Sequence, residues 1–246
     1  MELREFFKQH SRAALAFSGG VDSAYLLWAG LAAGAELRPY FVKSPFQPEF
    51  ELEDARRLCG KLGVELTVLD LELPAAVLEN PKDRCYHCKN ALFSCLWERV
   101  RADGFDTLLD GTNASDDPKD RPGMRALEEL SVLSPLRLGG LTKAEIRKRS
   151  KEAGLFTWDK PAYACLATRF PAGTRITPEK LLGVEAAEGL LFSLGFTDVR
   201  VRVYGDAARI QVPGDQMERL LENRHEIVLN LKKRFGSVFL DMEGRP

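Results

Sequence analysis

The sequence predicts an α/β fold: a doubly wound, mostly parallel sheet over residues 1–157, then a smaller C-terminal α+β unit over residues 158–246. Three observations carry that prediction. Up to Asp110, short apolar runs of strand character alternate with runs of helical period. The first strand passes into its helix through a glycine turn, Ser18-Gly19-Gly20-Val21-Asp22-Ser23. Beyond a segment rich in Pro, Gly and Thr, residues 158–177, the order changes to helix, strand, strand, helix, strand.

Taken in order, residues 13–17 read as the first strand and 22–33 as its crossover helix. Residues 37–42 read as a second strand, 48–62 as a helix with Leu52, Ala55, Leu58 and Leu62 on one stripe, and 64–69 as a third strand. Cys59 falls beside that stripe and reads as a small buried residue. Residues 80–89 interrupt the pattern with a proline, two cysteines and mixed charge, so the next helix is expected at 90–101, burying Leu92, Phe93, Leu96, Trp97 and Val100. Cys95 reads as a residue of that helix face. A short strand at 107–110 ends in Gly111-Thr112-Asn113-Ala114-Ser115-Asp116-Asp117. Residues 130–138 are apolar around Pro135. Thr142-Lys143-Ala144-Glu145 has the spacing of a capping box and opens a helix to Ala153, stopped by Gly154. The C-terminal unit reads as a helix at 179–194, strands at 199–204 and 208–212, a helix at 216–235 and a strand at 237–240.

Composition narrows the partners. The chain has 246 residues, 45% of them hydrophobic, and a net charge of -1, which offers no global attraction for nucleic acid or an anionic membrane. Apolar runs stop well short of the roughly 18 residues of a membrane span. The start, Met1-Glu2-Leu3-Arg4-Glu5, is too acidic for a secretory signal, so a cytoplasmic protein is expected. Five cysteines, an odd number, do not read as a disulfide framework.

The paired glycines let the chain turn so that several N–H groups face one concavity, made electropositive by the helix start behind it. That is a phosphate cradle. It lacks the Gly-Lys-Ser/Thr ending of kinase and GTPase loops. It resembles the pyrophosphatase loop of the PP-loop superfamily, whose members cleave ATP between the α and β phosphates and adenylate an acceptor.

Cys85-Tyr86-His87-Cys88 places two thiols three residues apart, and Cys165 lies far downstream in the proline-bounded seam. Thiols at this spacing converge on one metal or cluster. Three readings stand: structural zinc with His87 as a fourth ligand, a redox pair, or a [4Fe-4S] cluster on Cys85, Cys88 and Cys165 with one iron open to a further sulfur.

The glycine loop, Arg84-Cys85-Tyr86-His87-Cys88-Lys89, Gly111-Thr112-Asn113, Ala164-Cys165-Leu166-Ala167-Thr168-Arg169, and Val199-Arg200-Val201-Arg202 with Gly205-Asp206 and Ala208-Arg209-Ile210 together resemble the LarE family along nearly the whole chain. The resemblance implies ATP-dependent sulfur transfer in nickel-pincer nucleotide biosynthesis: a pyridinium mononucleotide with two carboxylates is adenylated and converted to a thiocarboxylate. In the simpler branch the cysteine matching Cys165 gives up its own sulfur and becomes dehydroalanine. Cys85 and Cys88 resemble the three-cysteine branch, in which a [4Fe-4S] cluster carries the sulfur. The resemblance also implies an external sulfur source, other cofactor-biosynthesis proteins as partners, and a homo-oligomer, with a hexamer among the options.

Residue by residue, Ser18, Gly19, Gly20 and Ser23 are expected to cradle the leaving pyrophosphate. Asp22 is expected to hold Mg²⁺, its alternative being a helix cap. Gly111, Thr112 and Asn113 resemble the superfamily's second phosphate or adenylate contact. Lys143 adds positive charge at the phosphates or is a solvated first-turn lysine. Arg200 and Arg202 share a strand face, Arg209 sits on the neighbouring strand and Arg169 lies near Cys165. These four are expected to meet the substrate's phosphate and carboxylates, the alternative being a solvated face. Glu185 and Glu188 are further candidates for metal or substrate. Cys165 and Asp22 are the expected catalytic pair. Three other classes compete: a sacrificial Cys165 in the same reaction, tRNA thiolation by a PP-loop enzyme, and a zinc-containing nucleotide-binding module.

Overall fold

The computed structural model describes residues 2–116 and 123–245. The chain divides into two compact units, Met1–Pro74 with Asp83–Lys160, and Ala75–Lys82 with Pro161–Pro246.

The first unit begins with α1 (Leu3–Gln9), β1 (Arg12–Ala16), α2 (Val21–Ala32), β2 (Glu36–Lys43), α3 (Glu49–Leu62) and β3 (Thr67–Asp70). After α4 (Ala75–Leu78), which belongs to the second unit, come α5 (Arg84–Ala102), β4 (Leu108–Leu109), α6 (Gly123–Glu129), α7 (Pro135–Leu138) and α8 (Lys143–Glu152). The strands pair in the order β3-β2-β1-β4, all parallel. Successive strand residues point to opposite faces, and here both faces are covered. Ala13, Leu15, Leu37 and Phe41 join one core with Leu26, Leu27 and Leu58 of α2 and α3. Their neighbours Ala14, Tyr40 and Val42 join another with Phe93, Leu96, Trp97 and Val100 of α5.

One boundary differs instructively from expectation. Helix α5 starts at Arg84, not at residue 90, so both cysteines of the Cys85–Cys88 pair lie on its first two turns. Nothing from Arg84 to Lys89 breaks a helix, and the N–H groups of Tyr86 and His87 already bond the carbonyl of Asp83. The capping box at α8 is present: Thr142 Oγ1 accepts from the Glu145 N–H, and the Glu145 carboxylate accepts from the Thr142 N–H.

In the second unit a 3₁₀ turn (Leu166–Arg169) precedes α9 (Pro178–Ser193), β5 (Arg200–Tyr204), β6 (Ala207–Gln211), α10 (Met217–Glu222), α11 (Arg224–Leu231) and β7 (Ser237–Leu240). Strands β5 and β6 form an antiparallel hairpin, and β7 adds in parallel to β6. The single helix expected at 216–235 is two helices that meet at Asn223, whose side-chain amide donates to the Arg219 carbonyl at 2.8 Å and competes with the backbone there. The segment Ala75–Lys82 is tied in by Ile176 N–H to the Leu78 carbonyl and Gly173 N–H to the Asn80 carbonyl, both 2.7 Å. Among the described residues no helix is long and apolar enough to cross a membrane.

Candidate functional site

The glycine loop is built by close approach. Gly19 has φ 69°, and a Cβ there would lie 3.0 Å from the Glu51 carbonyl and 3.1 Å from the Ala55 nitrogen, so only glycine lets the loop rest against α3. Ser18 and Ser23 hydroxyls meet at 3.2 Å, and Ser23 Oγ also donates to the Gly20 carbonyl at 3.3 Å. Gly20 caps α2, whose first backbone bond runs from the Ala24 N–H to the Gly20 carbonyl. The N–H groups before Ala24 have no acceptor within the helix and are available to an anion.

Strand β4 delivers a second glycine to the same place. A Cβ on Gly111 would lie 3.0 Å from the Ser23 nitrogen and 3.3 Å from its Cα, so the strand end touches the first turn of α2. Behind it Asp110 is buried, accepting from Ser134 Oγ at 2.6 Å and from the Thr112 hydroxyl. Burial raises its carboxyl above the usual range, against the pull of those two hydroxyls. Thr112 is thereby committed to Asp110. Asn113 builds a turn, its Oδ1 accepting from the Ser115 N–H at 2.8 Å and its own N–H donating to Asp116 at 3.0 Å. Asp117 lies outside the described residues.

Two lysines flank the loop. The Lys143 backbone N–H donates to Ser115 Oγ at 3.0 Å, and its ammonium meets Asp22 Oδ2 at 2.6 Å. The other carboxylate oxygen, Asp22 Oδ1, is buried and has no hydrogen-bond partner among the described residues. An unmatched carboxylate oxygen at a helix start beside a phosphate cradle fits a hard cation such as Mg²⁺. Lys160 was not among the expected residues. Its ammonium meets Asp54 Oδ2 at 2.6 Å and the Gly19 carbonyl at 3.4 Å, while Arg147 fixes its backbone through the carbonyls of Trp158 at 2.7 Å and Lys160 at 2.6 Å. No sequence signal links Lys160 to Gly19, since 141 positions separate them.

None of the five cysteines is in a disulfide. Cys85 is exposed and Cys88 partly so, one helical turn apart. His87 turns to Asp83, with Nε2 3.1 Å from Oδ2. Donor type and spacing fit two ligands of a thiolate-bound cluster. Among the described residues no three His, Cys, Asp or Glu side chains are gathered to hold a metal. Cys165 belongs to the second unit, where its carbonyl accepts from the Thr168 N–H at 3.0 Å and from Thr168 Oγ1 at 2.9 Å. Cys59 is buried, its thiol pushed up to about 12, and burial, then Glu98, also raises Cys95.

The second unit commits two of its arginines internally. Arg169 and Glu188, each with 1% of its side chain exposed, form a paired contact at 2.8 and 2.9 Å. Burial works against the Arg169 charge, but the Glu188 carboxylate outweighs it and holds the guanidinium above its usual value. The same carboxylate accepts from the Val201 N–H at 2.8 Å and from the Tyr163 hydroxyl. Arg169 Nη1 donates to the Ala164 carbonyl at 2.9 Å and to Thr168 Oγ1 at 2.7 Å. Arg200 is buried, bonded to the carbonyls of Val199 and Ala162, and burial followed by repulsion from Arg169 pushes it down to about 10. Arg202 and Arg209 stand opposite each other on β5 and β6. Arg202 bonds Gln211 and the Thr168 carbonyl, and burial lowers it. Arg209 is 45% exposed beside Asp241.

No family profile matches the chain. Individual proteins do. It is 37% identical to an uncharacterized protein of Synechocystis over 98% of this chain and 92% of that protein. It is 33% identical to the pyridinium-3,5-bisthiocarboxylic acid mononucleotide synthase of Lactiplantibacillus plantarum, over 96% of this chain and 88% of the synthase. A tRNA-specific 2-thiouridylase of Thermotoga petrophila is 27% identical over only 57% of this chain and 52% of its own length.

Proposed function

The chain belongs to the LarE family of ATP-dependent sulfurtransferases, and from that premise we propose that it adenylates a carboxylate of pyridinium-3,5-biscarboxylic acid mononucleotide and converts it to a thiocarboxylate. The observation that carries this reading is similarity to the synthase along almost the whole chain, where the tRNA thiouridylase matches little more than half.

The chemistry follows from the leaving groups. A carboxylate oxygen is a poor one, so the carboxylate first attacks the α phosphorus of ATP. The bond from that phosphorus to the bridging oxygen breaks, and pyrophosphate departs with the electron pair. A sulfur nucleophile then attacks the acyl carbon and AMP leaves. In this reading Ser18, Gly19, Gly20 and Ser23 hold the pyrophosphate through N–H and hydroxyl groups. Asp22 supplies the carboxylate oxygen for Mg²⁺. Gly111 and Asn113 form the wall for the adenylate, with Thr112 acting through Asp110. Lys143 exchanges Asp22 for a phosphate.

Cys85, Cys88 and Cys165 would hold a [4Fe-4S] cluster, which supplies an iron to which a transferable sulfur binds. Arg202 and Arg209 are assigned to the anionic groups of the mononucleotide. Arg169 and Arg200, bonded within their unit, instead shape the chain around Cys165. An external sulfur donor and a homo-oligomer complete the proposal.

A second reading keeps the reaction and makes Cys165 the donor: its Sγ bonds the acyl carbon, the Cα proton is lost, and the Cβ–Sγ bond breaks to leave dehydroalanine. Cys165 is partly exposed and in no disulfide, as a thiol that gives up its sulfur must be. One experiment separates the two. Anaerobically purified protein is assayed for iron and labile sulfide, then given ATP, Mg²⁺ and the biscarboxylate, with intact mass recorded before and after. About four iron and four sulfide per chain, lost in Cys165→Ala, with unchanged protein mass after product forms, supports the cluster. Mass loss matching dehydroalanine supports the sacrificial thiol. No pyrophosphate and no thiocarboxylate would remove both.

A further inference from the structure

We propose that Lys160 is a ligand of the departing pyrophosphate, held in reserve on Asp54 until the nucleotide arrives. The proposal rests on the ATP-cleaving reading and adds a residue and an exchange that the motifs do not contain. Three observations in the first unit carry it. The ammonium reaches the glycine loop itself, 3.4 Å from the Gly19 carbonyl. Its strong partner among the described residues is one carboxylate, Asp54 at 2.6 Å, and both side chains remain about one quarter exposed, so neither charge is sealed in. Its backbone is fixed by the two Arg147 bonds, so the side chain moves from a firm base.

The placement follows from α3. Glu51 and Ala55 are the backbone groups against which Gly19 rests, and Asp54 lies between them in sequence on the same helix. The wall that shapes the cradle therefore also carries the anion that stores the lysine. A lysine stem has four methylenes and three donor directions, and a compact point charge suits a phosphate oxygen as well as a carboxylate. When the bond between the α and β phosphates breaks, negative charge accumulates on the departing pyrophosphate. An ammonium at the loop neutralises it without any proton transfer. Asp54 then competes with phosphate for the same cation, so its removal strengthens phosphate binding while removal of the lysine weakens it.

Binding of inorganic pyrophosphate and of AMP to the full chain, measured by calorimetry in Mg²⁺, tests this. Lys160→Met is expected to weaken pyrophosphate binding about tenfold or more and leave AMP unchanged, with Lys160→Arg recovering part of the loss. Asp54→Asn is expected to tighten pyrophosphate binding, and the double variant to behave as Lys160→Met. Parallel loss of AMP and pyrophosphate affinity would mark Lys160 as a structural strap and overturn the proposal. So would unchanged pyrophosphate affinity in a folded Lys160→Met. Failure of the substrate assignment shows differently, as pyrophosphate binding without thiocarboxylate formation in the unsubstituted chain.

Discussion

The charges around the glycine loop and the charges in the second unit are held in opposite ways. Around the loop, Lys143 and Lys160 each have one carboxylate partner among the described residues, all four side chains are partly exposed, and Asp22 keeps an oxygen unmatched among those residues. In the second unit Glu188 satisfies Arg169, Tyr163 and Val201 at once, with 1% of either ion exposed. The first arrangement can give a partner up to a ligand. The second cannot without leaving a buried charge uncompensated, and it ties down the carbonyls of Ala164 and Cys165. Motif membership alone does not separate these roles, since Asp22 and Arg169 both fall in motif segments.

Substitutions can break this comparison. The largest effect on stability is expected for Glu188→Ala, which strands Arg169 in the interior: urea unfolding of the full chain should show a loss of about 3–5 kcal/mol. A loss below about 1 kcal/mol would mean that the pair is not the strut described. Asp22→Ala should do the reverse. Pyrophosphate release should fall by about a hundredfold or more, as for other lost electrostatic contacts to a reacting group, while the unfolding midpoint stays near that of the parent. Normal turnover would remove Asp22 from the metal. Gly111→Ala is intermediate, forcing a methyl to 3.0 Å from the Ser23 nitrogen and costing about 1–3 kcal/mol, with slower adenylation read in the same assay.

The smallest effect concerns Asp103, a surface carboxylate with several donors. Bonds from Tyr40 and Arg99 depress its carboxyl below the ordinary 3.8. Its contribution is therefore present above that value and lost as the pH falls through the depressed folded value. Asp103→Asn should lower stability slightly at neutral pH, flatten the acid limb of a stability-against-pH curve, and converge with the parent at the lowest pH. An unaltered acid limb would show that those bonds add nothing.

Much of this was legible in the sequence, for physical reasons that differ by region. The glycine loop was readable because a strand, two adjacent glycines and an amphipathic run leave few other conformations, and α8 because Thr142 and Glu145 satisfy each other's backbone locally. The start of α5 was hidden because cysteines and mixed charge at 85–89 resemble a loop in composition while permitting a helix. The break at Asn223, where the Asn223 and Arg224 side chains bond the carbonyls of Arg219 and Leu221, leaves no mark in the periodicity. Lys160 on Asp54 and Arg169 on Glu188 were not legible, because pairing across a fold leaves no local trace. A sequence names an arginine without saying whether its partner is a ligand or a glutamate on the next helix.

The membership of Ala75–Lys82 in the second unit has a consequence for how the chain is made. Everything the first unit needs has been synthesised once Lys160 has left the ribosome, yet by then the chain already carries eight residues that belong elsewhere. Val77 is 1% exposed in the finished protein, and the acceptors at Leu78 and Asn80 wait for Ile176 and Gly173, which are added almost one hundred residues later. Apolar surface whose covering partners arrive that late is the kind that makes incomplete chains prone to aggregate. Cutting the gene after Lys160 would not yield a clean nucleotide-binding fragment, because the segment would keep its unburied valine, and the remaining piece would lack its first helical turn.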